Sequence, residues 1–131
     1  MAEHYRSNIA RARGLGPAHH GVGHWIAERV SSIALIPLCL WLVYAGLVLP
    51  HAGYAGTVAW LHSPVNAVLV VLLLAIGFWH MQAGMRVIVE DYIHTVLSKS
   101  ILLLLNLSVC TLGAALAIFC VLKVAFSGGA G

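Results

Sequence analysis

Of the 131 residues, 61% are hydrophobic and only 8% are charged, against about 25% charged in an ordinary soluble domain. A water-soluble fold of this size has too little interior to hide that much apolar surface. Seven Lys and Arg and a formal charge of +3 leave no extended basic stripe to neutralise phosphates, so nucleic acid is excluded as a partner. The length suits one domain, and no charged residue lies between Arg29 and Arg86. Hydrocarbon is the solvent that this pattern implies.

Residues 1–29 form a cytoplasmic N-terminal segment in this reading. They contain Arg6, Arg11, Arg13 and Arg29, and no short apolar core with a cleavage site marks a signal peptide. His24, Trp25, Glu28 and Arg29 cluster at its end, followed by Ser31 and Ser32. The guanidinium fork of Arg29 matches a carboxylate, such as that of a haem propionate, and equally suits a snorkelling side chain.

About 20 apolar residues span a hydrocarbon core about 30 Å thick, and three stretches qualify: Val30 to Leu49, Val65 to Val89 and Ile101 to Leu122. The expected fold is all-α, an integral membrane bundle of three transmembrane helices over about 30–50, 65–93 and 100–125, within a domain 30–126. Pro37 lies inside the first span, where its missing N–H predicts a bend. The link from Pro50 to Pro64 carries Gly53, Gly56 and no Lys or Arg, which reads as a short exposed loop with His51 and His62 solvated. Residues 127–131 read as a flexible tail. Cys39, Cys110 and Cys120 stand in apolar stretches without a CxxC pair, so they read as small buried hydrophobes and not as a zinc or disulfide framework. With no CxxCH present, any haem is held without thioether links. Six of the seven positive residues either precede the first span or flank the connection between the second and third, with only Lys123 near the far side. The positive-inside rule then puts the amino terminus in the cytoplasm.

Ionisable groups at membrane depth are costly and mark function. His80, Gly84, Val87, Asp91 and His94 recur at steps of four, three, four and three, one stripe of a continuous helix. A lone membrane histidine serves either as a packing group bonded to a neighbouring carbonyl or as an axial ligand of a b-type haem. The chain offers no second imidazole at that depth, so any haem is shared with a partner helix. Gly84, one turn on, lets a flat macrocycle or another helix approach. Tyr92, at the end of the second span, is either an aromatic-belt anchor or a donor to a quinone carbonyl, with Asp91 beside it.

The run from His80 through Gly84, Arg86, Glu90, Asp91 and Tyr92 to His94, and the segment His24-Trp25-x-x-Glu28-Arg29-Val30-Ser31-Ser32, resemble the hydrophobic membrane anchor subunit of succinate dehydrogenase, the smaller cytochrome b anchor of respiratory complex II. The resemblance implies a heterotetramer with a second anchor subunit, an iron-sulphur subunit and a flavoprotein, in a bacterial inner membrane. It implies that His80 is one axial ligand of haem b, that Gly84 packs on it, and that Arg29 lies near a propionate. Tyr92 then donates a hydrogen bond to ubiquinone and Asp91 belongs to the same quinone site. The roles of His24 and His94 stay open. A structural or assembly subunit without redox role, or the anchor of a fumarate reductase, is the alternative.

Overall fold

The computed structural model describes residues 19–127, with side chains from Val22 onward. Arg6, Arg11, Arg13 and the tail from Gly128 lie outside the described residues. Three helices follow one another: α1 His19–His62, α2 Pro64–Tyr92 and α3 Val96–Phe126. Each is long and apolar enough to cross a membrane. At about 1.5 Å per residue, the 29 residues of α2 reach about 44 Å, more than the hydrocarbon needs. Its end turns therefore have length enough to reach the level of the headgroups.

The link expected to be an exposed loop is largely helical. α1 continues through Pro37 and Pro50, and its departure from helical geometry comes at Gly53, with φ 66° and ψ −174°. That region of backbone space is nearly exclusive to glycine. The indoles of Trp41 and Trp60 stack with centroids 5.3 Å apart, whereas nineteen residues of unbroken helix would separate them by about 28 Å. The chain thus folds back at Gly53, and the residues up to His62 run down the flank of α1. Asn66 Nδ2 donates to the Trp60 carbonyl at 2.9 Å, and Pro64 opens α2 at a position where a missing N–H costs nothing. Glycine and proline read correctly as chain-reversal signals; the helical turns between them are held by tertiary stacking that periodicity does not reveal.

α2 packs against both other helices, most extensively against α3. A Cβ placed on Gly113 would lie 2.9 Å from Phe78 Cε1, so the absent side chain lets the two helices close up. Asn106 Nδ2 donates to the Gln82 carbonyl at 3.0 Å across the same interface. Only Leu38, Ala45, Ala83, Val89 and Cys110 are buried apolar side chains among the described residues. Cys39 and Cys120 are exposed, contrary to the expectation of three buried thiols. Three helices in a row enclose too little volume to cover every face, so most apolar side chains point outward.

α2 ends at Tyr92, where Ile93 turns extended and its N–H bonds the Val89 carbonyl at 3.1 Å. His94 therefore lies in the link to α3, not on the helical stripe begun by His80. With Thr95 already the extended N-cap of α3, the chain must leave α2 before His94 to reverse direction.

Candidate functional site

The C-terminal half of α2 and the first part of α1 bring the candidate residues together. His80 is half-buried, and its Nδ1 lies 3.0 Å from Ser31 Oγ across 49 residues of sequence. Ser31 Oγ also reaches the Glu28 carbonyl at 2.9 Å, and Ser32 Oγ donates to the same carbonyl at 2.8 Å. Every buried side-chain polar atom among the described residues has a partner; among those residues Nε2 of His80 makes no hydrogen bond, so it is not fully enclosed by them. A Cβ on Gly84 would meet nothing within 4 Å, so the same stretch of α2 presents an open face.

A cavity of about 150 Å³ lies between α1 and α2, lined by His24, Glu28, Ser31, Gln82 and Arg86 among others. His24 Nδ1 stands 3.7 Å from Glu28 Oε1. Arg86 Nε donates to Glu90 Oε1 at 2.8 Å, and Lys99 Nζ donates to the Glu90 carbonyl at 2.9 Å. The Lys99 contact ties the end of α2 to the start of α3. Arg29 is exposed, with its guanidinium 5.4 Å above the Trp25 ring. Two residues from Ser31, it is turned about 200° around α1, away from His80.

Tyr92 and Asp91 are exposed at the last turn of α2, Tyr92 at 77%. Among the described residues neither side chain takes part in a hydrogen bond or ion pair. They stand twelve and eleven residues beyond His80, so the chain holds two separate stations about 18 Å apart along one helix. No group of three or more potential metal ligands occurs among the described residues.

Two residues with structural weight carried little sequence signal. Ser31 follows the polar cluster before the first span as an ordinary hydroxyl, and only packing brings it to His80. Asn106 is a lone amide inside an apolar run, a position where polarity is expensive enough to draw notice.

The model of the succinate dehydrogenase/fumarate reductase transmembrane subunit family matches residues 3–122. A succinate dehydrogenase hydrophobic membrane anchor subunit of Rickettsia conorii is 33% identical over 94 residues, covering 71% of this chain and 75% of that protein. The proteins of the same name from Rickettsia bellii and Paracoccus denitrificans are 30% and 32% identical, covering 71% and 62% of this chain and 74% and 63% of their own lengths. No solved structure matches. Three membrane-length helices agree with the matches. This integral membrane chain belongs to the succinate dehydrogenase/fumarate reductase transmembrane subunit family, as a membrane anchor of succinate dehydrogenase.

Proposed function

We propose that this anchor, with its amino terminus inside a bacterial inner membrane, supplies one axial ligand of a haem b shared with a second anchor subunit and part of a site where ubiquinone is reduced. In this reading the iron-sulphur subunit docks on the cytoplasmic side, and the flavoprotein that oxidises succinate docks on it in turn. The observation that carries the proposal is His80: one ring nitrogen is engaged by Ser31 within the chain, and the other has no partner among the described residues and stands one turn from a residue with no side chain. A ligating imidazole needs that arrangement, one nitrogen oriented from behind and the other facing the metal. A packing histidine bonded to a neighbouring carbonyl does not need the open nitrogen.

When bound, a haem would supply a one-electron reservoir. His80 would hold it through Nε2, Gly84 would leave room beside that imidazole, and Arg29, although turned away from His80 here, would offer its fork of donors to a propionate carboxylate. At the cytoplasmic level, the Tyr92 hydroxyl donates to a quinone carbonyl. That bond strengthens as the oxygen gains negative charge, because donors aimed at developing charge stabilise it. Asp91, beside it and in contact with water, holds charge where protons enter. Reduction to quinol takes two electrons, delivered from the iron-sulphur subunit, and two protons, drawn from the cytoplasmic water.

The test is the reduced-minus-oxidised visible spectrum of the purified complex carrying His80→Ala. The proposal expects the low-spin haem signal to vanish or convert to a high-spin form. An unchanged spectrum at full haem occupancy would reject the ligand assignment and favour a purely structural subunit.

A further inference from the structure

Ser31 Oγ has one proton and two acceptors in reach, the Glu28 carbonyl at 2.9 Å and Nδ1 of His80 at 3.0 Å. If the hydroxyl donates to the carbonyl, Nδ1 must carry a proton and donate to Oγ, so both hydrogens are bonded. If the hydroxyl donates instead to Nδ1, the proton sits on Nε2. One hydrogen bond is then made where two are available, and an N–H is left unpaired at a depth where water is scarce. The first arrangement makes one more bond and is the one the contacts select. It leaves the lone pair on Nε2.

We propose that Ser31 is a positioning residue for His80: its hydroxyl, anchored on the Glu28 carbonyl of α1, accepts the Nδ1 proton and thereby fixes the tautomer and ring orientation in which Nε2 faces the iron. The inference rests on His80 being the haem ligand. A hydrogen bond from the far nitrogen makes an imidazole a stronger electron donor, which favours the oxidised metal. The first turns of α1, although remote from the haem ligand in sequence, thus set the redox balance of the group held by α2.

The experiment uses the assembled complex with Ser31→Thr, Ser31→Val and Ser31→Ala. Threonine and valine have nearly equal volume and differ in the hydroxyl, so packing is held while the acceptor is removed. The readouts are the potentiometric titration of the haem, the low-spin electron paramagnetic resonance signal of its oxidised form, and haem content per complex. Valine and alanine are expected to raise the reduced-to-oxidised ratio about threefold at the parent's midpoint, which is about 30 mV for a one-electron couple. They should also shift the resonance, while threonine matches the parent. Haem lost from the valine and alanine variants but kept by threonine would also support the hydroxyl's role. Parent-like potential and resonance in the valine variant would overturn the proposal, as would loss of haem from all three. Since His80→Ala tests ligation independently, a lost ligand role and a silent Ser31 are told apart.

Discussion

Tyr92 closes α2 with its ring in the open and its hydroxyl unengaged among the described residues. Tyr92→Phe keeps the ring and deletes one donor, so the effect should be of hydrogen-bond size, about 0.5 to 3 kcal/mol in binding or barrier. Succinate-dependent quinone reduction should fall severalfold, while electron transfer to an artificial acceptor that bypasses the membrane and the haem spectrum both persist. Assaying the two activities side by side decides the matter, since equal quinone activity in variant and parent would leave Tyr92 as a belt anchor. His80, Gly84, Asp91 and Tyr92 could be singled out in advance because rare polar or small residues at membrane depth stand out against hydrocarbon. Ser31 did not stand out in that way. Its significance comes from a partner 49 positions away, and no local pattern encodes a contact between two helices.

At the scale of the helix, two glycines have opposite duties. Gly53 occupies a backbone conformation that a Cβ disfavours, so Gly53→Ala should cost about 1 to 3 kcal/mol. It should loosen the stack of Trp41 on Trp60. A lower thermal midpoint of the complex together with changed tryptophan emission would register both effects. Gly113 lies against Phe78, and Gly113→Val overfills that contact at about 1 to 3 kcal/mol, read as earlier thermal dissociation of the complex. Asn106→Leu removes one interhelical bond, and such bonds in membranes average about 0.6 kcal/mol, so its effect should be the smallest of the three. The three long apolar runs made the number of helices readable beforehand. The helical stretch between Pro50 and Pro64 was not readable, because its glycines and prolines look like a loop until the indoles are seen to stack.

For the molecule as a whole, the balance of buried and exposed apolar side chains decides behaviour. The five buried apolar residues among those described cannot hold three long helices by themselves, and the outward-facing majority needs an apolar surrounding such as lipid. Produced alone, the chain should take up haem poorly and aggregate or be degraded, as followed by haem content and by size-exclusion chromatography. A well-behaved isolated monomer with six-coordinate haem would contradict that. Reporter fusions should place residue 56 outside and residue 97 inside, given where Lys and Arg lie. The opposite result would put Tyr92 on the wrong side of the membrane for a cytoplasmic iron-sulphur partner.

The corner between α2 and α3 is short and cross-tied: Ile93, His94 and Thr95 alone connect the helices, and Lys99 Nζ reaches back to the Glu90 carbonyl. The main chain under Asp91 and Tyr92 is thus held in place on both sides, and on the proposed role of Tyr92 the capture of a quinone would have only side-chain torsions left to freeze. Lengthening that corner would restore the lost disorder. Two glycines inserted after His94 should therefore weaken quinone binding through entropy, with the Michaelis constant for quinone rising while the haem spectrum stays as in the parent. The tightness of a three-residue connection then becomes a thermodynamic asset to a substrate that touches none of it.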